Sequence, residues 1–206
     1  MAVQDTVVRE LKSVVGDDYV LHSPEDLIVF EYDGSVDKAP PLAVVVPKDT
    51  DQVSACVKIA ARHGVPVIAR GAGTGLSGGA VAEHGGIVIA LTRMTRILEV
   101  DPVNRVAVVE PGVVNLDLTA NVSKHGLYYA PDPSSQKVCT IGGNVAENSG
   151  GPHCLAYGVT TNHVLGYAGK TPQISLPIGI LLRHQRLVQV FVRVSVIQIL
   201  GISDRI

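Results

Sequence analysis

A glycine-rich run is the part of this chain whose residue types and spacing could support chemistry. Residues 70–80 read RGAGTGLSGGA and contain five glycines. Because glycine lacks a Cβ, its backbone can adopt positive φ and can approach a ligand closely. Consecutive backbone N–H groups in such a turn can converge on an anion. The run therefore predicts a loop that binds a phosphate or pyrophosphate group, and with it a nucleotide cofactor.

The same run contains the GxGxxG spacing of a dinucleotide fingerprint, from Gly73 to Gly78, and it follows the apolar residues 65–69. A Rossmann unit also needs a helix that opens on this loop, because the helix N-terminus helps to hold the pyrophosphate. Only residues 80–84 separate Gly79 from the next glycine pair and apolar strand, which is too short for that helix. A nucleotide-binding site outside a Rossmann unit is therefore the first interpretation of this loop and a Rossmann NAD-binding protein the second. A glycine-rich turn without a ligand is favoured less than either.

A second glycine region lies further along the chain. Residues 131–135 read PDPSS and residues 139–151 read CTIGGNVAENSGG, which combines small hydroxyls, two amide side chains and glycine pairs. Such a segment can place backbone N–H and C=O groups along a polar ligand such as a flavin, whose ring needs several hydrogen-bond partners. An exposed loop of Asn, Ser and Gly is the alternative interpretation.

Composition excludes several classes of function. The 206 residues are 46% hydrophobic and 17% charged, which describes a globular protein, and the net charge of −2 gives no support for nucleic acid or a membrane surface as partner. Cys56, Cys139 and Cys154 form no CxxC pair, so we expect reduced thiols and no metal site. No signal peptide or membrane span is recognisable, and a cytoplasmic location is expected.

Hydrophobic periodicity predicts the elements that must position these regions. A helix is predicted at 6–15. A buried strand at 42–46, a helix that begins at Thr50 and is ended by His63-Gly64, and a buried strand at 65–69 form a strand–helix–strand unit typical of a parallel sheet. Residues 128–166 carry many glycines and prolines and are predicted to be a long ordered loop. Residues 187–202 are interpreted as a strand or a misfolded tail. The remaining predictions are strands at 86–91, 97–100 and 105–110 and a helix at 115–125.

The two glycine regions, in this order, resemble the FAD-binding domain of the vanillyl-alcohol oxidase and p-cresol methylhydroxylase (PCMH-type) family. Within it, the chain is most similar to the flavin subunit of glycolate oxidase and to FAD-linked D-lactate dehydrogenases. The resemblance implies an α+β fold, with a small parallel lobe containing a βαβ unit and a larger, here incomplete, mixed or antiparallel lobe. The stretches that carry it are 41–47, the helix from Thr50, 67–79, 110–112, 131–135 and 139–166.

In this family the first loop wraps the FAD pyrophosphate. That assigns to the pyrophosphate Arg70, Gly71, Ala72, Gly73, Thr74, Gly75, Ser77, Gly78 and Gly79. The flavin and ribityl chain would be lined by Pro131, Asp132, Ser134, Ser135, Thr140, Gly142, Gly143, Asn144, Ser149 and Gly150, with Tyr157, Gly158 and Asn162 as weaker assignments. Some relatives attach FAD covalently through a histidine at the position of Thr74, so we expect non-covalent FAD here.

The activity implied is oxidation of a 2-hydroxy acid to a 2-oxo acid, with hydride transfer from Cα to flavin N5 and onward transfer of electrons to another acceptor, such as a partner subunit. No catalytic residue is assigned. His153 and Cys154 have no second ligand at metal spacing, so packing or a role beside the flavin is expected. A non-catalytic FAD- or nucleotide-binding fragment is the alternative. Attachment at the inner membrane through partner subunits is an alternative to a purely cytoplasmic location.

The resemblance ends at the last forty residues. Relatives continue with further strands and a large substrate-binding domain, whereas residues 167–206 contain a single acidic residue, Asp204, and change composition abruptly. We therefore expect three parts: an N-terminal helical segment at 1–40, an incomplete FAD-binding domain at 41–166 and an atypical tail at 167–206 from a truncated or frameshifted reading frame. Because missing strands leave sheet edges open, weak or absent FAD binding and no substrate oxidation are expected of the isolated chain.

Overall fold

Short runs of Val, Ile and Ala build a first, mainly parallel sheet. The computed structural model describes residues 3–167 and 189–192. Strands β1 (Val20–Leu21), β2 (Ala43–Val45), β3 (Val67–Arg70) and β4 (Ile87–Ala90) lie in the order β1-β2-β4-β3. Strand β4 is parallel to β2 and β3, and β1 is antiparallel to β2. The predicted strand–helix–strand unit is present, but β4 is inserted between its two strands.

Both faces of this sheet are buried, which explains why its strands are continuous apolar runs. Val45, Ile87 and Ile89 pack on one face against the helices α1 (Val3–Val15) and α3 (Thr50–Arg62). Val44 and Val88 lie on the opposite face, against the segment that includes the short helix α2 (Pro24–Leu27). Helix α3 begins where the Asp49 carboxylate accepts the Gln52 N–H at 2.9 Å. The predicted helices at 6–15 and 50–62 are thus confirmed.

Strand β3 differs from its sequence-based prediction. Residues 65–69 were expected to be a buried strand, yet β3 lies at the sheet edge and Ala69 is exposed. Its last residue, Arg70, is the buried one. An apolar run does not by itself distinguish a central strand from an edge strand. The edge position is what allows the residues after Arg70 to leave the sheet as an open loop.

A second sheet lies beside the first and is mixed. Strands β5 (Ile97–Asp101), β6 (Val106–Val109), β7 (Val164–Tyr167) and β8 (Gln189–Val192) have the order β5-β6-β8-β7. β5 is antiparallel to β6, whereas β8 is parallel to both β6 and β7. Its core includes Val109 of the sheet, Leu118 of helix α4 (Asn115–Val122) and Ile141 of helix α5 (Ile141–Glu147). The two-sheet architecture confirms the predicted α+β fold class.

The segment expected to be a long loop, 128–166, contains regular structure. It includes α5, helix α6 (Cys154–Tyr157), a 3-10 helix (Thr160–His163) and most of β7. These elements are short, and α5 contains two glycines and an asparagine, so no apolar period marks them. Of the atypical tail, Tyr167 and residues 189–192 lie in strands, and the rest lies outside the described residues. No helix in the described ranges is long and apolar enough to cross a membrane.

Candidate cofactor site

A cavity of about 590 Å³ lies beside β3, at the edge of the first sheet. One wall is the loop after β3, and the opposite wall is formed by residues 133–135 and by α5 with its flanking residues. The sequence-predicted residues that line this cavity are Arg70, Gly71, Ala72, Gly73, Thr74, Gly75, Ser77, Gly79, Ser134, Ser135, Thr140, Gly142, Gly143, Asn144, Ser149 and Gly150. The fold thus brings the two glycine regions together.

The loop at 71–79 offers a run of backbone donors. Within the described residues, none of its N–H groups donates a hydrogen bond to a protein acceptor. The run is bounded by the Arg70 carbonyl, which accepts the Leu91 N–H, and by the Ala80 N–H, which donates to Asp33. Gly73 and Gly78 have φ of 70° and 74°, which turns the chain sharply at two points. Convergent N–H groups of this kind are suited to an anion.

The second glycine region presents its backbone differently. The first-turn N–H groups of α5 are already bonded: Ile141 donates to the Val113 carbonyl and Gly142 to the Pro111 carbonyl, both at 2.8 Å. The Gly143 N–H donates to the hydroxyl of Thr140, the N-cap residue, at 3.2 Å. We expected this backbone to lie along a ligand, but these three donors serve the packing of the helix.

One polar side chain on the α5 wall is left without a partner. Asn144 is 1% exposed, and both polar atoms of its carboxamide make no hydrogen bond within the described part of the chain. Its neighbourhood includes Cys139, whose thiol pKa is raised by burial. Buried amides are usually hydrogen-bonded. The Asn144 amide is therefore a candidate contact for a polar ligand in the cavity.

Two side chains connect the walls across the cavity. The Ser77 hydroxyl donates to the Glu147 carboxylate at 2.5 Å. A Cβ at Gly79 would lie 2.8 Å from the same carboxylate, so glycine leaves the space that it occupies. Glu147 also lines the cavity and was not among the predicted site residues. It is an ordinary charged residue seventy positions from Ser77, so no local pattern could have pointed to it.

Six predicted residues do not line the cavity: Gly78, Pro131, Asp132, Tyr157, Gly158 and Asn162. Several of them have structural partners instead. Asp132 accepts from His153 Nδ1 at 2.5 Å, the Pro131 carbonyl accepts from Asn115 at 2.8 Å, and Asn162 accepts the Val159 N–H at 3.0 Å. They support the segments that reach the cavity.

Arg70 lines the cavity, but its guanidinium is engaged elsewhere. It donates to the backbone carbonyls of Tyr32 at 2.7 Å and Val29 at 3.4 Å. The residues that the sequence did not predict include Asp33, Pro111, Pro133 and Cys139. Pro111 and Pro133 lie inside the stretches that carry the family resemblance, whereas Asp33 has no local signal. No group of three or more His, Cys, Asp or Glu that could hold a metal occurs within the described residues.

Comparison with known proteins identifies the family. Residues 41–172 match the model of an FAD binding domain. The chain is 49% identical over 161 residues to the glycolate oxidase subunit GlcD of Escherichia coli K12, covering 78% of this chain and 32% of that protein. It is 42% identical over 142 residues to a D-lactate dehydrogenase of Anaerostipes hadrus, covering 69% of this chain and 29% of that one.

The fold has a counterpart among solved structures. The structure of p-cresol methylhydroxylase with substrate bound matches with a TM-score of 0.63 at 24% identity, over 71% of this chain and 30% of that one. The chain spans about a third of the length of the two curated relatives named above. The family match and the two-sheet fold agree with each other, and we conclude that this chain belongs to the FAD-binding-domain family and has the PCMH-type fold.

Proposed function

We propose that FAD binds in this cavity, with the pyrophosphate on the loop at 71–79, in place of the weak or absent binding expected from open sheet edges. The observation that carries this proposal is the uninterrupted run of backbone N–H groups without a protein acceptor in the described residues. Backbone donors are fixed by the fold. Five of the loop residues are glycines, with no side chain to exclude a phosphate, which suits the diphosphate bridge of a dinucleotide. Family membership supports FAD as the dinucleotide.

The opposite wall would hold the ribityl chain and the flavin. The N–H groups of Ser134 and Ser135 have no protein acceptor in the described residues, and the Asn144 carboxamide is buried without a partner. These are the donors and acceptors that a polar ring edge and a chain of hydroxyls require. Thr140, Gly142, Gly143, Ser149 and Gly150 would contribute shape more than hydrogen bonds. FAD supplies an acceptor for a hydride when it is bound.

Attachment of FAD would be non-covalent. Thr74 cannot form the histidyl bond found in some relatives, and none of the described residues that line the cavity is histidine. Cys139 lines the cavity, but burial raises the pKa of its thiol, which disfavours the nucleophilic thiolate. Denaturation of the FAD-loaded protein with acid should release all the flavin into the supernatant. Flavin retained in the protein pellet would contradict non-covalent attachment.

The activity that we propose for the whole protein is oxidation of a 2-hydroxy acid to a 2-oxo acid, by analogy with relatives named glycolate oxidase subunit and D-lactate dehydrogenase. Electrons would then pass to a partner subunit. Arg70 is the one cation among the described residues that line the cavity, and its guanidinium is bonded to backbone carbonyls. The residue that binds the substrate carboxylate would therefore lie outside this cavity wall.

That lack of an available cation favours a second candidate for the chain taken by itself, a module that binds FAD without turning over a hydroxy acid. One experiment separates the candidates. The purified chain is titrated with FAD while flavin fluorescence and visible absorption are recorded, and glycolate or D-lactate is then added without oxygen. Saturable one-to-one binding supports the FAD proposal. Bleaching of the flavin band by one hydroxy acid supports the enzyme, and an unchanged band supports the module. A preference for NAD over FAD would contradict both.

A further inference from the structure

A segment that precedes the matched domain packs against the loop at 71–79, and its Asp33 also lines the cavity. The family match begins at residue 41, whereas residues 29–37 contact both ends and the middle of the loop. We infer that this segment, called the brace below, shapes the loop for its anion, and that Asp33 and Arg70 are positioning residues. The inference rests on the proposed function, since the anion is taken to be the FAD pyrophosphate.

Arg70 ties the brace to both ends of the loop. Its side chain leaves the last residue of β3 and is 8% exposed. Nη1 donates to the Tyr32 carbonyl at 2.7 Å and to the Ala80 carbonyl at 3.5 Å, and the guanidinium lies over the Phe30 ring at 5.5 Å. A planar fork with several donors can hold separate carbonyls at once, which an ammonium does with less geometric constraint.

Asp33 fixes the far end of the loop. It is 6% exposed, and its carboxylate accepts the Ala80 N–H at 3.3 Å and the Ser35 N–H at 2.8 Å. Burial alone would raise its pKa, but the hydrogen bonds from Ser35 and Ala80 and the charge of Arg70 outweigh burial and lower it. The side chain therefore stays ionised, and its charge is compensated by Arg70 rather than opposing a bound anion.

Gly34 orients the middle of the loop. A Cβ at this position would lie 2.7 Å from the Gly75 carbonyl oxygen and 3.0 Å from that of Thr74, so the brace meets these two carbonyls directly. Peptide bonds in the described chain are trans, which places each carbonyl opposite the N–H of the next residue. The N–H groups of Gly75 and Leu76 consequently point away from the brace. The contact with Gly34 thus gives the loop one side that presents carbonyl groups and an opposite side that presents N–H donors.

A loop held in this way loses little conformational freedom when a ligand binds, which increases affinity.

The brace can be tested in the full chain with three variants. Asp33→Ala removes the Ala80 acceptor, Gly34→Ala pushes on the two carbonyls, and Asp33→Asn retains one oxygen acceptor. Glu31→Gln is the matched control, since Glu31 lies in the same segment and its carboxylate pairs with the exposed Lys38 at 3.7 Å rather than with the loop. FAD dissociation constants are measured well below the thermal midpoint of each variant.

We expect Asp33→Ala and Gly34→Ala to weaken FAD binding by about tenfold or more, Asp33→Asn to weaken it less, and Glu31→Gln to leave it unchanged. The ³¹P resonances of bound FAD should shift in the first two variants, a signature that a general loss of stability does not produce. Folded Asp33→Ala and Gly34→Ala proteins with wild-type affinity and ³¹P shifts would overturn the inference.

A readout without FAD separates this inference from the proposed function. The Ala80 amide should exchange with deuterium faster in Asp33→Ala than in the wild type, and at the wild-type rate in Glu31→Gln. If the wild-type chain fails to bind FAD, the proposed function fails, while faster Ala80 exchange still supports the brace. Unchanged Ala80 exchange in Asp33→Ala would overturn the brace whether or not FAD binds.

Discussion

The loop at 71–79 and helix α5 face each other across one cavity and are both rich in glycine. In the loop, the glycines accompany backbone donors that have no protein acceptor in the described residues. In α5, Gly142 and Gly143 donate to the Pro111 carbonyl and the Thr140 hydroxyl, and a Cβ at Gly142 would lie 2.8 Å from the Pro111 side chain. Similar composition thus accompanies backbone donors that suit the proposed ligand on one wall and close packing on the other.

The difference predicts which property each wall controls. Substitutions in α5 should change the free energy of unfolding first and FAD affinity second. Substitutions in the loop should change FAD affinity more than stability, because none of the residues 71–79 is fully buried and the loop contributes few core contacts. Each variant below is designed to separate stability from FAD affinity. A loop variant that loses mainly stability, or an α5 variant that loses mainly FAD affinity, would weaken the comparison.

The largest effect on stability is expected from Gly142→Ala. Its new Cβ would meet Pro111, including the carbonyl oxygen at 3.0 Å, and backbone cannot move aside as a flexible side chain can. We expect the free energy of unfolding in urea to fall by about 2 kcal/mol. Gly143→Ala is the matched control, because its Cβ would meet only the Thr140 hydroxyl at 3.3 Å. Equal losses in the two variants would show that packing on Pro111 is not the cause.

In the loop, Gly73→Ala should act mainly on FAD. The residue has φ of 70°, where a Cβ costs about 1 kcal/mol, and its Cβ would also collide with the Arg70 guanidinium. We expect FAD affinity to fall about tenfold, measured by fluorescence titration. Gly75→Ala has room, with the nearest atom of Glu147 3.7 Å away, and should bind nearly as the wild type does. If Gly75→Ala loses as much affinity as Gly73→Ala, backbone strain does not explain the result.

The cap of α5 should have a smaller effect on stability. Thr140→Val keeps the shape of a side chain that is 4% exposed but removes the acceptor of the Gly143 N–H. Loss of an N-cap costs about 1 kcal/mol of unfolding free energy. Thr140→Ser keeps the hydroxyl and should recover most of the loss. A stable Thr140→Val protein that fails to bind FAD would instead assign the hydroxyl to the ligand.

The smallest effect is a pH dependence from the segment that follows α6. Burial lowers the pKa of His163 below its ordinary value of 6.5, only partly offset by its hydrogen bond to the Tyr157 carbonyl at 2.9 Å. Below pH 6.5 the unfolded chain takes up a proton that the folded chain does not, so stability should decline as the pH falls through this range. His163→Gln should have a shallower decline in urea titrations at several pH values. If the free energy of unfolding declines equally with falling pH in His163→Gln and in the wild type, His163 is not the group responsible.

Local patterns explain how much of the fold was predictable. Helix α3 buries Val53, Cys56 and Ile59 at helical spacing and has an acceptor at Asp49, so sequence suffices to place it. Helix α5 has only Ile141 and Asn144 fully buried, and its position depends on carbonyls of residues thirty positions earlier. No periodicity records contacts of that kind. The same limit explains why an edge strand, β3, was predicted to be buried.

The residues of the candidate site were likewise predictable only in part. The first glycine loop was predicted because its composition is unusual and continuous. Asp33 and Glu147 reach the cavity from segments that are distant in sequence, and nothing in their neighbourhoods distinguishes them from solvent-facing carboxylates. Arg70 was assigned to the pyrophosphate from the family resemblance; it lines the cavity, and its guanidinium donates to a carbonyl of the brace. A family resemblance gives the position of a residue but not the direction of its side chain.

The central claim is that the backbone N–H groups of 71–79 hold the FAD pyrophosphate. Residue-specific ¹⁵N–¹H chemical shifts of the labelled chain, followed during an FAD titration, test it most directly. The account predicts large, saturable shifts of the amides from Gly71 to Gly79, with small shifts for Ile141, Gly142 and Gly143, which are already bonded within the protein. Saturable binding with the largest shifts in 141–143 and none in 71–79 would contradict it.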